Sequence, residues 1–312
     1  MKGTYSKIKD ERGLSFIITC LGIIAVFGMG ALVTDFGRIA LAHQRLANAA
    51  DSAAMAAAQD LALATDKDLG AITAGRRVLE VAGANGVDSE NVTVSIDGNK
   101  ISVDIQQEVG LIMSRIFGVN EKTVSAHAAA AAGSNISYTG IAPLTIHEQP
   151  LTYGQLVTLK YGSPKDAGQF RSMGNFGALA LGGRGAKNYR DKLINGYQEE
   201  VHIGDKLETE PGNMNGPTDG IDVRLSRCTD GCTFDNFKPG CPRVIVIPTH
   251  NEDSLHGRDE ITVTGFAAFF VDRDSTNCAS DEIKGYFVRM VAEGDPDFSK
   301  PVTSLYGVRL VE

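Results

Sequence analysis

Four cysteines in the second half of the chain can support two different kinds of chemistry. Cys228 and Cys232 are separated by three residues, Cys241 follows shortly after them, and Cys278 lies farther along. This spacing resembles half of a zinc site, because structural zinc sites commonly place about two to four residues between paired ligands. The same four thiols could instead form two disulfides, for which three connectivities are possible. The choice between zinc binding and disulfides depends on the compartment that the protein occupies.

The segment FFVDRDST presents a second candidate arrangement. Asp272, Asp274 and Thr276 follow an apolar strand in the D-x-D-x-T pattern in which haloacid-dehalogenase phosphatases place a nucleophile, an acid/base group and a Mg²⁺ ligand. That motif opens a Rossmann-like domain, yet only 36 residues follow Thr276, which disfavours a phosphatase. A Ca²⁺ site is another possibility, since hard cations prefer oxygen ligands, and its weak candidates are Asp272, Asp274, Asn277 and Asp281. A solvated turn is favoured over both.

The elements that position these residues come from two compositionally different parts of the chain. All ten prolines lie at or beyond Pro143, whereas the first 133 residues are rich in alanine. A proline-free, alanine-rich stretch favours long helices, while proline and glycine favour short strands and turns. The 312 residues therefore join two architectures, and a hydrophobic share of 43% excludes a disordered chain. The formal net charge of -8 argues against nucleic acid as a partner.

An apolar segment near the N-terminus has the length of a membrane span. Between Arg12 and Asp35, 22 consecutive residues carry no charge, which at about 1.5 Å per helical residue covers a hydrocarbon layer of roughly 30 Å. A cleavable signal peptide has a shorter apolar core, of about 7 to 15 residues, so a signal anchor is favoured. The sequence predicts a transmembrane helix over residues 14–34.

Charges beside the apolar segment predict its orientation in the cell membrane. Four basic side chains precede it: Lys2, Lys7, Lys9 and Arg12. Because basic residues favour the cytoplasmic side of a membrane, residues 1–13 are expected in the cytoplasm and the chain from Asp35 onward in the periplasmic or extracellular space. That compartment is oxidising, so disulfides among the four late cysteines are favoured over zinc binding.

Beyond the membrane, residues 35–133 are expected to form a stalk helix and a small module. Apolar residues recur at intervals of three or four along the stalk, which is typical of an amphipathic helix; they are Ile39, Ala42, Leu46, Ala49, Ala53 and Ala56. This alanine seam could pack against partner helices, or alanine could be present only as the best helix former. A helix near residues 70–82 is followed by a ββαβ pattern, with a hairpin turn at Asp97 and Gly98.

After an expected linker at residues 134–140, the pattern of residues 141–312 changes. Short apolar stretches between Gly, Pro and Asn clusters predict about seven strands, one of them over GIDVRLSRC at residues 220–228. Such a series is typical of a sandwich or barrel-like domain. The predicted fold class is α+β: a transmembrane helix extended into a long amphipathic helix, a small ββαβ module, and a mainly β C-terminal domain.

The first third of the chain carries motifs that are shared with a known family. A D-x-G-R pattern just outside the membrane comprises Asp35, Gly37 and Arg38, and L-x-N-A-A-D-S-A-A-x-A-A-A occupies residues 46–58. With ERG before the span and FGVNEKTVSAHAAAAA after the hairpin, these motifs resemble the N-terminal region of the TadE/TadG-like pilus-assembly proteins of the tight adherence (Tad, or Flp pilus) system. The resemblance covers roughly residues 10–133.

The resemblance implies an envelope-anchored, pilin-like component of pilus assembly rather than an enzyme, without a cofactor. Its partners would be other pilus-assembly membrane proteins or pilin subunits, together with the lipid bilayer. Two features depart from the family. Ile18 lies five positions after Gly13, where a prepilin leader has glutamate, and the sequence lacks the D-x-S-x-S metal motif of a von Willebrand A-type domain.

Four residues are the candidates for interactions in assembly: Asp35, Gly37, Arg38 and Asp51. Asp35 and Arg38 are three positions apart and could pair on one helix face or across to another subunit. Asp51, within the alanine seam, could meet a basic partner or face solvent. The alternative from another class is a membrane-tethered extracytoplasmic hydrolase or metal-binding enzyme that uses Asp272 and Asp274.

Overall fold

The computed structural model describes residues 11–160, 177–211, 216–253, 255, 257–277, 282–299 and 304–311. Within them, the α-helices are α1 (Glu11–Leu63), α2 (Lys67–Ala84), α3 (Ala186–Asn195) and α4 (Gly220–Ser226). The strands are β1 (Val92–Asp97), β2 (Lys100–Gly110), β3 (Glu121–Asn135), β4 (Ser137–Thr139), β5 (Ile146–His147), β6 (Val157–Lys160), β7 (Glu200–His202), β8 (Lys206–Glu208), β9 (Val244–His250), β10 (Glu260–Thr262), β11 (Gly265–Val271), β12 (Ile283–Val288), β13 (Met290–Val291), β14 (Pro296–Asp297) and β15 (Leu305–Leu310). These elements confirm the α+β class and the mainly β character of the C-terminal region.

Helix α1 is a single element of 53 residues, about 80 Å long at the usual rise per residue. Its N-terminal part is apolar and exposed, and by length and composition the helix can cross a membrane. Proline is absent from this stretch of sequence, so every backbone N–H beyond the first turn can join the helical hydrogen-bond series. The continuous helix predicted from the apolar segment into the stalk is therefore present.

One face of the C-terminal half of α1 is buried within the protein itself. Its fully buried alanines are Ala49, Ala50, Ala53, Ala54, Ala57 and Ala58. They pack with Val78 of α2 and with Ile101 and Ile105 of β2, and their small side chains let the helix lie close to the sheet. The alanine seam is thus covered by this chain's own sheet and second helix, which leaves little of it for the partner helices considered from the sequence.

The predicted hairpin is formed by β1 and β2, which pair antiparallel with Asp97 opposite Lys100. The two connecting residues are therefore Gly98 and Asn99, one position later than expected. Gly98 has φ of 58°, a left-handed conformation that glycine adopts without a steric penalty. The short helix predicted after the hairpin is a 3₁₀ turn at Ser114–Phe117.

The main sheet contains strands from both ends of the chain. Its order is β1-β2-β3-β15-β13, and β14 also pairs with β3. Ser134 lies opposite Tyr306, and Asn135 lies opposite Pro296. Residues 134–140 therefore differ from the expected linker, since they finish β3 and form β4, which pairs with β7. The C-terminal strand β15 pairs with β3 in the N-terminal sheet. The two parts that differ in composition along the sequence therefore share one sheet in the structure.

A second sheet, in the order β5-β9-β11-β12-β6, forms the centre of the C-terminal region. Helices α3 and α4 cover one face, where Tyr189 and Leu193 pack with Ile221 and Leu225 against the sheet. The strand expected over residues 220–228 is wrong, because its first seven residues form α4. Ile221 and Leu225 are four residues apart, so a helix buries both on one face, which outweighs the alternation that suggests a strand.

Candidate functional site

Asp35 lies on α1 at the end of the uncharged segment, and its side chain is only 4% exposed. Its carboxylate accepts hydrogen bonds from the backbone N–H groups of Ile112 at 2.8 Å, Met113 at 3.1 Å and Ser114 at 2.7 Å. The Ser114 hydroxyl adds a fourth, also at 2.7 Å. The bond from the Ile112 N–H is the largest cause that lowers the pKa of Asp35 to about 2, and burial acts in the opposite direction. The Asp35 carboxylate is therefore ionised, its oxygens are hydrogen-bonded, and it anchors residues 112–114 to α1.

The sequence supports this arrangement because the 3₁₀ turn at Ser114–Phe117 has no cap of its own. The residue at its N-terminal end, Met113, has no side-chain oxygen, and it makes no capping hydrogen bond. The first N–H groups of a helical turn need acceptors when they are withdrawn from water. Asp35 of α1 supplies those acceptors, and this fixes the turn against the part of α1 that follows the uncharged segment.

Arg38 contacts the same loop as Asp35 and does not pair with it. Its Nε donates to the carbonyl of Gly110 at 3.2 Å. Gly110 lies shortly before the residues whose backbone N–H groups donate to Asp35. The predicted Asp35–Arg38 ion pair within one helix is therefore corrected: each side chain binds the backbone of residues 110–114. The carboxylate accepts hydrogen bonds from backbone N–H groups, and the guanidinium donates one to a backbone carbonyl. Each charged side chain therefore binds the backbone group of opposite polarity.

The other two predicted interaction residues make fewer contacts. A Cβ on Gly37 would have no atom within 4 Å, so none of the described residues packs closely enough to require glycine there. Asp51 is half-buried on α1, and the ion pairs found among the described residues do not include it. Both positions remain proposals for contacts with other molecules.

An apolar turn, residues 112–119, lies beside the point where α1 leaves its uncharged segment. It exposes four apolar side chains, Ile112, Met113, Ile116 and Val119, and Ile116 is 77% exposed. Phe36, next to Asp35 on α1, is also exposed. The ββαβ pattern predicts a short helix at this position after the hairpin, but it does not predict the attachment of that helix to Asp35. The available signal was a turn rich in apolar residues with no capping side chain at its own start.

Three of the four predicted disulfide cysteines lie together as free thiols. The Sγ atoms of Cys228, Cys232 and Cys241 are all within 4.8 Å of one another, and those of Cys228 and Cys241 are 3.7 Å apart. Burial raises the pKa of Cys241 to about 12. For Cys228 burial also acts upward, but hydrogen bonds, first that from the Cys232 N–H, bring its pKa below the ordinary value. Cys278 lies outside the described residues, and the disulfides stay a prediction.

The D-x-D-x-T segment connects two antiparallel strands. Asp272 accepts from Arg243 at 3.4 Å and from the Ser275 N–H at 3.1 Å, and the Thr276 hydroxyl donates to the Lys284 carbonyl. Strands β11 and β12 on either side are antiparallel neighbours, whereas the phosphatase motif follows a strand of a Rossmann-like parallel sheet. The contacts of Asp272 are those of a hairpin connection.

The weak candidate ligands for a cation in this connection do not come together as a binding site among the described residues. Asp274 is exposed, and Asn277 pairs with Glu282 across the connection. Asp281 lies outside the described residues. In the part of the chain that the structure describes, no group of three potential metal ligands includes Asp272 or Asp274. The hydrolase alternative therefore has no geometric support from these side chains.

A cavity of about 1080 Å³ lies between the C-terminal end of α1 and the second sheet. Its lining includes Ala64, Tyr153 and Arg289. The Arg289 guanidinium donates to the Ala64 carbonyl, just beyond the end of α1, and lies 4.8 Å from the centre of the Tyr153 ring. This contact joins the end of the stalk helix to the C-terminal region across the wall of the cavity.

Family models match the N-terminal part of the chain. Residues 15–60 match the putative Flp pilus-assembly TadE/G-like family, and residues 38–130 match the putative Tad-like Flp pilus-assembly family. The first match falls within α1, and the second extends from α1 through β2 into β3. Comparison with curated proteins and with solved structures gives no match. The resemblance to TadE/TadG-like pilus-assembly proteins is thus confirmed over residues 15–130, the segment in which Asp35 anchors the apolar turn.

Proposed function

We propose that the protein is a membrane-anchored, non-enzymatic component of Tad-type pilus assembly, either a minor pilin-like subunit or a pilus-anchoring protein. The observation that carries this proposal is the division of α1 into two surfaces. Its N-terminal part exposes a nearly continuous apolar surface, whereas one face of its C-terminal half is buried by the protein's own sheet and second helix. The family matches over the same helix favour a role in pilus assembly.

The exposed part of α1 needs an apolar environment. Its large exposed side chains include Phe16, Ile17, Ile18, Leu21, Ile23, Ile24, Val26 and Phe27. Burying one such side chain contributes about 1.5–3 kcal/mol, so leaving the whole surface in water is strongly unfavourable. A lipid bilayer covers it in the proposed anchored state, and neighbouring pilus subunits could cover it within a fibre.

The proposed orientation follows from charges that flank the helix. The three lysines before Asp10 lie outside the described residues, but their charge is a property of the sequence and favours a cytoplasmic N-terminus. The module and the C-terminal region then lie on the outer side of the membrane. There, Asp35 and Arg38 fix the position of the apolar turn relative to the helix, so the module has a defined height above the bilayer.

The surface left for other assembly components lies on the uncovered side of α1. Leu41 is 69% exposed beyond the proposed membrane segment, although it is a large apolar residue. Phe36 lies on the same stretch of helix and is also exposed. Asp51, farther along the helix, is available for a basic group of a partner. These positions support protein contacts along the stalk in place of the buried alanine seam.

Site-specific photo-crosslinking in living cells tests this function. A photoreactive amino acid at Leu41 is expected to crosslink to pilin subunits or pilus-assembly membrane proteins. Val223 on α4 is a matched control, since it is an exposed apolar residue in the C-terminal region. Deletion of the protein should also reduce surface pili. Normal piliation in the deletion strain, or crosslinks from Leu41 that contain no pilus component, would contradict the proposal.

A further inference from the structure

The three clustered thiols lie on the chain between helix α4 and strand β9. Cys228 follows the end of α4, and Cys241 precedes β9. Between them, Gly231 has φ of 65°, which lets the chain turn back so that Cys232 faces the other two sulfurs. The cluster therefore lies where the end of α4, the loop that follows it and the start of β9 come together.

The distances between the sulfurs match ligands of one metal ion better than they match a disulfide. A disulfide has an S–S distance of about 2.0 Å. Tetrahedral zinc has Zn–S bonds of about 2.3 Å, which places two sulfurs of the same site roughly 3.8 Å apart. The Cys228 and Cys241 sulfurs are 3.7 Å apart, and all three lie within 4.8 Å of one another.

The surroundings of the cluster are suited to thiolates. Cys232 and Cys241 are buried in an apolar cluster with Val244, Ala268, Phe270 and Val288. The Arg243 guanidinium donates to the backbone carbonyl of Cys232 at 2.8 Å. Hydrogen bonds of this kind around a metal site hold its ligands in place.

A nearby cation balances the charge that a zinc–thiolate centre would carry. Zn²⁺ with three thiolates has one net negative charge, and the Nε of Arg224 donates to the backbone carbonyl of Pro242, the residue that follows Cys241. The hydrogen bonds of the Arg224 guanidinium go to the backbone carbonyls of Leu193, Pro242 and Val244. These bonds hold the Arg224 guanidinium beside the cluster, and the neutral carbonyls do not cancel its positive charge.

We propose that Cys228, Cys232 and Cys241 bind one Zn²⁺ ion through their sulfurs, with the fourth position of a tetrahedral site left to another ligand. On binding, the remaining thiol protons pass to solvent. The ion holds the end of α4 against the start of β9, in place of disulfides at these three positions. This proposal does not depend on the role in pilus assembly.

Metal analysis of the full-length protein tests the site. The protein is purified in detergent without added metal, and zinc is measured by mass spectrometry; the expected result is one zinc per chain. Cys232→Ala and Cys241→Ala are expected to lose most of the zinc. Cys20→Ala should keep it, because Cys20 lies on the exposed part of α1, away from the cluster.

A second measurement does not depend on the folding of the variants. Wild-type protein is stripped with a chelator and titrated with Co²⁺ alone, which should give the visible absorption of tetrahedral cobalt with thiolate ligands. In parallel, alkylation of the denatured protein without reductant should label all three cysteines. A disulfide that involves any of them overturns the proposal. So does wild-type protein that holds no zinc and gives no thiolate spectrum with Co²⁺, or zinc that is unchanged in both variants.

Discussion

Asp35 and Ser114 are joined by two hydrogen bonds of 2.7 Å, since both the backbone N–H and the hydroxyl of Ser114 donate to Oδ2 of the carboxylate. The two residues are 79 positions apart, and they connect the base of the stalk helix to the apolar turn. The Nε of Arg38 donates to the backbone carbonyl of Gly110, two residues before the turn. The position of residues 112–119 therefore depends on two charged side chains one turn apart on α1.

Asp35→Asn is expected to release the apolar turn without unfolding the module. An amide side chain has one oxygen in place of two, and its NH₂ group cannot accept the N–H donors that the carboxylate now binds. Hydrogen exchange at the amides of Met113 and Ser114 should then become about tenfold faster or more. Asp51→Asn serves as the control on the same helix. Unchanged exchange at Met113 and Ser114 in Asp35→Asn would show that Asp35 does not anchor the turn.

The anchor should also depend on pH in a defined direction. The folded-state pKa of Asp35 is lowered from 3.8 to about 2, so the ionised carboxylate contributes stability that is fully present above about pH 4. This contribution is lost as the pH falls through 3.8 toward 2. In an NMR titration in detergent, the Ser114 amide shift should therefore move with a midpoint near 2. A midpoint near 3.8 would mean that the hydrogen bonds do not favour the charged form.

Some parts of this fold could be predicted from residues close together in sequence. Helix α1 follows from an uncharged segment and an alanine-rich repeat without proline, and the hairpin follows from the alternation of Val92, Val94 and Ile96 with polar residues. In both, the interactions that select the structure lie within a few residues. The hairpin turn lies one residue later than predicted, because glycine suits both the first and the second position of a two-residue turn and Gly98 could occupy either.

Other parts depend on contacts between distant segments. The pairing of β15 with β3 brings residues of the C-terminus into the N-terminal sheet, and no local pattern in YGVRLVE specifies that partner. The binding of residues 112–114 by Asp35 is equally non-local. For the cysteines, the spacing of Cys228 and Cys232 indicated a paired site, but the approach of Cys241 depends on how α4 packs beside β9. Spacing alone could not decide between zinc and disulfides.

The contact between β3 and β14 should not tolerate a side chain at Gly133. A Cβ there would lie 2.8 Å from the backbone oxygen of Asp297, which cannot move without disturbing the strand pairing. Gly133→Ala is expected to lower the free energy of unfolding by about 1–3 kcal/mol, as overpacking does. Gly75→Ala in α2 is the matched control, because a Cβ there meets nothing within 4 Å. It should stabilise the helix by about 0.5–1 kcal/mol, so equal thermal stability of the two variants would contradict the packing argument.

Arg289 should stabilise the junction between the stalk helix and the second sheet. Its guanidinium donates to the Ala64 carbonyl and stacks on Tyr153, so Arg289→Ala loses a charge-assisted hydrogen bond and a cation–π contact. The expected cost is about 1–3 kcal/mol in thermal unfolding. Arg273→Ala in the exposed connection between β11 and β12 should change stability little. If the two arginine variants unfold alike, the junction does not depend on Arg289.

The apolar turn should lie at the surface of the bilayer, and the lack of tryptophan in the sequence makes this directly measurable. The natural chain contains no Trp, so Ile116→Trp places a single indole at the most exposed apolar position of the turn. Tryptophan favours the membrane interface, where its emission shifts to shorter wavelength and is quenched by brominated lipids. Val223→Trp on α4 should show neither effect in the same vesicles. Combining Ile116→Trp with Asp35→Asn should weaken the quenching, because the turn is then no longer held beside the helix. If the indole at position 116 emits like the indole at position 223, the turn lies in water, and its exposed apolar side chains do not contact the bilayer.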